Sequence, residues 1–92
     1  MTPQATKPLE DVFCSKTRIK ILKLLIDLGQ LNVSEIAERL GSNYAHALTN
    51  LTVLEDNGVL RQLRSGRTKY YRLNEGCLKV SVFKQVILAW QE

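Results

Sequence analysis

The amino-acid sequence predicts a mainly α-helical fold with one small β-hairpin, which is an α+β architecture. Apolar residues recur with helical spacing from Lys16 to Asn57, interrupted by glycine-containing turns. The period changes to two between Val59 and Leu73, as expected of two short strands. Helical spacing returns after Gly76. The 92 residues, 45% of them hydrophobic and 24% charged, are typical of a single globular domain.

Composition excludes several classes of protein. No window approaches about 18 consecutive apolar residues, so we expect no transmembrane helix. Residues 1–8 lack an apolar run, so they do not form a signal peptide and are interpreted as a flexible tail. One His and two Cys are too few for a four-ligand zinc site. The chain lacks a glycine-rich phosphate loop, a carboxylate pair and a base beside a nucleophile, so we expect neither catalysis nor a cofactor.

The first predicted helix runs from Lys16 to Leu28. Ser15 is a favourable N-cap, and Gly29 follows the helix at the position that favours a left-handed conformation. Apolar residues cover most of the circumference, which indicates burial on more than one side. One solvent-facing stripe is formed by Lys16, Lys20, Lys23 and Asp27, which are spaced by four, three and four residues.

Two further helices follow, separated by a short turn. Asn32 is predicted to cap the second helix, and Gly41 to end it. Glu35, three residues after Asn32, can accept a hydrogen bond from the Asn32 backbone N–H and so complete a capping box. Ser42 is predicted to cap the third helix, which runs to Asn57. The inner face of the third helix consists of Ala47, Leu48, Leu51 and Leu54. Its outward side consists of Ala45, His46, Thr49, Asn50 and Val53.

A basic hairpin is predicted after the third helix. Strands at residues 59–63 and 68–73 are joined by residues 64–67, which include a glycine. Tyr71 shares a strand face with Leu73, so we assign Tyr71 to the core. Five basic residues and no acid lie in the hairpin: Arg61, Arg64, Arg67, Lys69 and Arg72. With a net charge of +4, this cluster favours an anionic partner.

The last helix carries an apolar stripe that a domain of this size can hardly bury alone. Its members are Phe83, Val86, Ile87 and Trp90. Together with Val12 and Phe13 near the first helix, they are predicted to form a two-fold dimer interface. Cys14 and Cys77 begin the first and last helical regions. Two alternatives stay open for them: separate buried thiols, or a disulfide within or between chains.

Two helices joined by a short turn form a helix-turn-helix unit, whose second helix can enter the major groove of DNA. Polar side chains and rings on that helix would exchange hydrogen bonds with base edges. The candidate reading residues are Ser42, Asn43, Tyr44, His46, Thr49 and Asn50. The hairpin would bind phosphates through Arg61, Arg64, Arg67, Lys69 and Tyr70. Plain exposure of His46 is an equal alternative, and Tyr44 is expected to pack with its hydroxyl reaching a phosphate.

Residues 15–74 resemble the winged helix-turn-helix of the ArsR-type transcriptional regulators, particularly their archaeal relatives. Five sets of residues carry the resemblance in matching order. They are Ser15–Leu22, then Leu31–Gly41, then Asn43, Tyr44, Ala47, Asn50 and Leu51 of the third helix, then Leu54–Leu60, and finally Gly66–Leu73. The resemblance implies that the third helix reads bases, that the wing grips the backbone or the minor groove, and that terminal helices pair the protomers. Such proteins often carry His where this chain has Asn50.

The metal-sensing motifs of these regulators are missing from the sequence. Metal-sensing members carry Cys residues between the second and third helices, or acidic and His ligands on the last helix. Residues 31–54 contain no Cys, and the last helix contains no His and no acid before Glu92. We therefore expect no metal site and no small-molecule ligand.

The sequence thus predicts a sequence-specific transcription regulator that binds double-stranded DNA as a homodimer, in the cytoplasm and associated with the nucleoid. Residues 1–8 would form the tail, 9–75 the DNA-binding domain and 76–92 a dimerisation helix. The alternative is a winged-helix docking module of a larger nucleic-acid-associated assembly. A basic wing without acids favours DNA over docking. RNA binding would require exposed aromatic residues on a broader sheet.

Overall fold

The computed structural model describes residues 15–90, which form four α-helices and one three-stranded antiparallel sheet. In chain order the elements are α1 (Lys16–Leu28), β1 (Gln30–Asn32), α2 (Val33–Leu40), α3 (Tyr44–Asp56), β2 (Leu60–Ser65), β3 (Thr68–Leu73) and α4 (Leu78–Trp90). The predicted α+β class is confirmed. The predicted tail at residues 1–8, together with Val12, Phe13 and Cys14, lies outside the described residues.

Local capping explains why the first two helices begin and end where the sequence predicts. The Ser15 side chain accepts a hydrogen bond from the backbone N–H of Arg18 at the start of α1. Asn32 and Glu35 form the predicted capping box, each side chain accepting from the other residue's backbone N–H at 2.8 and 2.9 Å. Gly41 ends α2 in the left-handed region at φ 68°, which L side chains rarely adopt.

The third helix begins one residue later than predicted. Its N-cap is Asn43 rather than Ser42, because the Asn43 side chain accepts from the backbone N–H of His46 at 2.7 Å. Ser42 still belongs to the turn that Gly41 initiates, and its hydroxyl donates to the Asn43 carbonyl at 3.4 Å. The helix ends at Asp56, with Asn57 as its C-cap.

The sheet has one strand more than the predicted hairpin. Residues 30–32, expected to lead directly into α2, form β1 and pair antiparallel with β3, with Leu31 opposite Tyr71. The strand forms because Leu31 is buried beside Tyr71, a tertiary contact that a three-residue segment does not reveal in sequence. Within the hairpin, β2 and β3 pair up to Ser65 and Thr68, which leaves a two-residue turn. Gly66 occupies its first position at φ 62°.

The hydrophobic core lies between α1, α2, α3 and one face of the sheet. Helices contribute Ile21, Leu22, Leu25, Ile36, Ala37, Ala47, Leu51 and Leu54, and the sheet contributes Leu31, Leu60, Tyr71 and Leu73. The core assignment of Tyr71 is confirmed, since its side chain is 1% exposed. From α4 only Val80 is fully buried, while Phe83 packs against the edge of the core. The helix-turn-helix unit and the hairpin therefore share one core, and most of α4 lies outside it.

Candidate nucleic-acid interface

The N-terminal half of α3 presents polar side chains to solvent. Asn43, Tyr44, His46 and Thr49 are all exposed, and Tyr44 is 52% exposed. About half of Tyr44 is therefore covered by the domain, so it packs only in part. Tyr44 is the first residue of α3, where it lines a cleft between the start of α2 and the hairpin. The exposed ring and hydroxyl are available to a partner.

The hydroxyl of Thr49 is engaged by its own helix. Its Oγ1 donates to the backbone carbonyl of Ala45 at 3.0 Å, one turn earlier. This bond fixes the side-chain rotamer and leaves the Thr49 methyl group for contact with a partner. In the major groove a methyl group complements the C5-methyl of thymine.

Asn50 is not an exposed residue, and the expectation that it points outward is wrong. Its side chain is 5% exposed, on the flank of α3 that faces α1. The Asn50 Oδ1 accepts a hydrogen bond from Arg18 Nε at 3.0 Å, and its Nδ2 donates to the His46 carbonyl at 3.0 Å. The amide is thus occupied by groups of the protein itself. The helical wheel placed Asn50 correctly relative to Leu51, but could not show that a second helix covers that flank.

Arg18 was not singled out by the sequence analysis. It lies on α1, 32 residues before Asn50, and is only partly exposed. Its position between the exposed Lys16 and Lys20 gave it the pattern of a solvent-facing residue. The one sequence signal was its spacing: Arg18 lies three residues before Ile21 and seven before Leu25, so it shares their buried face rather than the face of Lys16 and Lys20.

The basic residues of the hairpin are divided between its two faces. Arg64 and Lys69 lie directly opposite each other on the face that also carries Gln62 and Tyr71. Arg61 and Arg72 lie opposite each other on the other face, beside the partly buried pair Leu63 and Tyr70. Arg67 is exposed at the turn itself. The tip therefore carries Arg64, Arg67 and Lys69, whereas Arg61 and Arg72 lie three residues, or about 10 Å, back along the strands.

An open cleft joins the hairpin tip to the helix-turn-helix unit. Its walls are Asn32, Val33 and Ser34 at the start of α2, Tyr44 at the start of α3, and Arg67, Thr68 and Lys69 from the hairpin. Three predicted site residues, Tyr44, Arg67 and Lys69, therefore meet here. Two hydroxyl-bearing residues of the cleft, Ser34 and Thr68, were missed by the sequence analysis. Serine and threonine are common beside capping boxes and turns, so their presence there does not by itself predict a binding residue.

The root of the hairpin is fastened to the C-terminal half of α3. The Gln62 amide lies 3.4 Å from Glu55 Oε1 and 3.3 Å from the Tyr71 hydroxyl. Burial and the nearby Glu55 carboxylate raise the pKa of Tyr71 above its usual value, although the bond from Gln62 opposes the shift. This arrangement sets the position of the hairpin relative to the exposed face of α3.

Helix α4 has an apolar surface with no partner in the described part of the chain. Residues at every fourth position are exposed: Leu78 (77%), Val82 (55%), Val86 (49%) and Trp90 (85%). We call these four residues the α4 stripe. The predicted stripe is divided by the structure, since Phe83 and Ile87 are partly buried while Val86 and Trp90 are exposed. Cys77, just before α4, is a partly buried free thiol.

Neither a metal site nor a membrane span emerges from residues 15–90. No three His, Cys, Asp or Glu side chains of this region come together in a group that could hold a metal ion. None of its helices combines the length and the apolar character that crossing a membrane requires.

Comparison with known proteins places the chain in a family. The family model "Bacterial regulatory protein, arsR family" matches residues 15–62, which include α1, the helix-turn-helix unit and the first half of β2. The chain therefore belongs to the ArsR family of transcriptional regulators, as the resemblance of its motifs predicted. The family is one of transcriptional regulators.

Individual relatives agree with this assignment. An arsenic resistance transcriptional regulator of Pseudomonas putida is 35% identical over 72 residues, and an uncharacterized HTH-type transcriptional regulator of Sulfolobus spindle-shape virus 1 is 31% identical over 65 residues. The matches cover 78% and 71% of this chain, but only 59% and 56% of those two proteins.

A solved structure shows the same fold. It is the homodimeric winged helix-turn-helix DNA-binding domain of a possible ArsR-family regulator from Mycobacterium bovis, with a TM-score of 0.74 at 24% identity. The alignment covers 99% of this chain and 90% of that one. The predicted winged helix-turn-helix is thereby confirmed, with the hairpin of β2 and β3 as its wing.

Proposed function

We propose that this protein is a transcription regulator that binds specific sequences of double-stranded DNA, with α3 in the major groove and the wing on the backbone or minor groove. The observation that carries the proposal is the cleft in which Tyr44, at the start of α3, meets the wing residues Arg67 and Lys69. One surface thus combines side chains that can read base edges with cations that can bind phosphates.

Within this surface, the proposed reading residues are those that leave the N-terminal half of α3 toward solvent. His46 and Asn43 offer hydrogen-bonding groups to base edges, and Thr49 offers its methyl group. Ser42 and Tyr44 flank them, and their hydroxyls are assigned to phosphate contacts in this proposal. Asn50 is reassigned from reading to positioning because of its burial.

The wing supplies the part of the affinity that does not depend on sequence. Its proposed phosphate contacts are Arg64, Arg67 and Lys69 at the tip, with Tyr70 and Arg61 further back. Salt bridges between the wing cations and acids of the protein would weaken such contacts. The one ion pair among residues 15–90 joins Lys84 on α4 to Glu75, which precedes that helix, and so does not involve the wing. The wing charges are therefore not neutralised by neighbouring acids in the structure.

We further propose that the protein acts as a homodimer through its terminal regions. The interface would contain Phe83, Val86, Ile87 and Trp90 together with Val12 and Phe13, and the exposed α4 stripe supports this assignment. The homodimeric state of the Mycobacterium bovis domain supports it as well. A two-fold axis would place two reading helices about 34 Å apart, one turn of DNA, and demand a near-palindromic site.

This function implies a cytoplasmic, nucleoid-associated protein in which residues 9–75 bind DNA and residues 76–92 pair the protomers. A disulfide between Cys14 and Cys77 stays a prediction, because Cys14 lies outside the described residues. The proposal includes no cofactor, metal or small-molecule effector.

Selection of bound duplexes from a random pool tests the proposal most broadly. We expect an enriched near-palindrome whose half-sites are centred about 10 base pairs apart. The double variant Arg67→Ala/Lys69→Ala serves as the control that should recover fewer duplexes of the same sequence. A pool that shows no enrichment after repeated rounds would contradict sequence-specific binding.

A further inference from the structure

The buried amide of Asn50 joins α1 to an exposed residue of the proposed reading helix. Arg18 on α1 donates from Nε to Asn50 Oδ1 at 3.0 Å, across 32 residues of sequence. The Asn50 Nδ2 donates to the His46 carbonyl at 3.0 Å and lies 3.5 Å from His46 Nε2. Three residues on two helices therefore form one chain of hydrogen bonds, which ends at an exposed imidazole.

The direction of this chain is fixed by Arg18. A guanidinium carries only donors, so the Asn50 atom that faces it must be the carbonyl oxygen. The amide nitrogen then points toward His46 and can only donate. A ring nitrogen accepts a hydrogen bond only when it carries no proton, so donation from Asn50 to Nε2 requires that Nε2 be unprotonated. The proton of the neutral ring would then reside on Nδ1.

We propose that Arg18 acts through Asn50 as a positioning residue that determines base preference, by holding His46 in the Nδ1–H tautomer. The inference rests on the proposed function, because His46 reads a base only if α3 binds DNA. With Nε2 occupied by Asn50, the imidazole has one remaining polar group, the Nδ1–H donor. Such a donor complements N7 or O6 of guanine, N7 of adenine or O4 of thymine, and rejects the amino groups of adenine and cytosine.

The first test uses the free protein and needs no DNA. Nitrogen-15 NMR of the imidazole ring reports which nitrogen carries the proton. We expect the Nδ1–H form for the unmodified protein near neutral pH. In Asn50→Asp the carboxylate still accepts from Arg18 but offers His46 an acceptor, so the ring proton should move to Nε2. An Nε2–H ring in the unmodified protein, or no change in Asn50→Asp, would overturn the proposal.

The second test compares base preferences in selected duplexes. His46→Ala identifies the operator positions that depend on the imidazole. Arg18→Met, which removes the donor and keeps an unbranched apolar side chain, should change preference at those same positions by roughly two- to tenfold, the value of one hydrogen bond. Arg39→Met, at an exposed arginine on α2, is the matched control and should leave the preference unchanged.

Two outcomes of the second test separate the proposals. If Arg18→Met leaves the His46-dependent positions unchanged, or weakens binding equally at all positions, the positioning role is wrong while the DNA-binding function stands. If the unmodified protein selects no duplex, the proposed function fails, and the NMR result still decides the tautomer. Should Arg18→Met unfold, Asn50→Asp replaces it in the selection, because that variant retains the acceptor for Arg18.

Discussion

Arg61 and Arg72 lie directly opposite each other on neighbouring strands of the wing, and both side chains are exposed on the same face of the sheet. Like charges in this position destabilise an antiparallel pair. Among residues 15–90, no acidic side chain forms an ion pair with either arginine. Such a cluster of like charge is expected of a surface that meets a polyanion, because phosphates relieve the repulsion when the partner binds.

The arginine pair leads to the first prediction, which concerns stability. Arg72→Thr should raise the free energy of unfolding by about 0.2–1 kcal/mol at low salt. The gain should shrink as salt increases, because the two charges are exposed and screened. Urea unfolding of Arg61→Thr, Arg72→Thr and the double variant gives a double-mutant cycle. The second substitution should raise the free energy of unfolding by less than the first, because the repulsion is already relieved. Additive effects, or a gain that does not respond to salt, would show that the two charges do not interact.

A second prediction concerns the wing tip. Arg67→Ala and Lys69→Ala should each weaken binding to all duplexes alike and reduce the slope of log affinity against log salt by about 0.9. Lys23→Ala, in the exposed stripe of α1, is the control and should leave the slope unchanged. Fluorescence anisotropy over a range of salt concentrations measures all three slopes. An unchanged slope for both wing variants would remove the tip from the interface.

The third prediction concerns the α4 stripe. Val86→Glu should convert a dimer into monomers, because it places a charge in a buried apolar contact that contributes roughly 1.5–3 kcal/mol per protomer. Gln85→Glu introduces the same charge at the neighbouring exposed position and should leave the dimer intact. Sedimentation equilibrium at micromolar concentration distinguishes the two states. A monomeric unmodified protein would defeat the assignment of α4 to an interface.

The fourth prediction follows from Tyr71. Burial and Glu55 raise its pKa in the folded state above the ordinary value of 10.0, so the folded protein holds the phenolic proton more tightly than the unfolded chain. The stability from this group is complete below pH 10 and is lost as pH rises through the folded-state pKa. Above pH 10 the free energy of unfolding should therefore fall by up to about 1.4 kcal/mol per pH unit.

Tyr71→Phe should remove this part of the pH dependence, while Tyr70→Phe should leave it in place. Urea unfolding between pH 8 and 11 measures the free energy of unfolding against pH for the unmodified protein and both variants. The slopes are compared rather than the absolute values, because Tyr71→Phe also loses the hydrogen bond from Gln62. Equal slopes for the unmodified protein and Tyr71→Phe would assign the alkaline loss of stability to other groups.

The helices were predictable because their signals are local. Ser15 and the pair Asn32 and Glu35 lie within three residues of the N–H groups they cap, so the sequence alone reveals them. The same holds for Gly41, which marks the end of α2 by its freedom to adopt a positive φ. The choice of Ser42 rather than Asn43 as cap was wrong, since both residue types cap well and the pattern does not distinguish them.

The remaining features depend on contacts between distant parts of the chain. β1 exists because Leu31 is buried against Tyr71, 40 residues later in the sequence. Asn50 is buried because α1 brings Arg18 beside it. Hydrophobic periodicity describes one helix at a time, so it placed Asn50 among the reading residues. The exposure of Arg64 and Arg67 at the wing tip, by contrast, follows from the sequence, because charged side chains beside a turn reach solvent without a tertiary partner. Their contact with phosphates stays a prediction.

In the proposed function, the exposed face of α3 and the wing together recognise a specific DNA sequence. The most direct measurement is the equilibrium affinity for the selected duplex and for a duplex of equal length and composition with scrambled bases, at the same physiological salt concentration. We expect the selected duplex to bind at least about 10³-fold more tightly, the lower bound for specific recognition. Equal affinity for the two duplexes would contradict it.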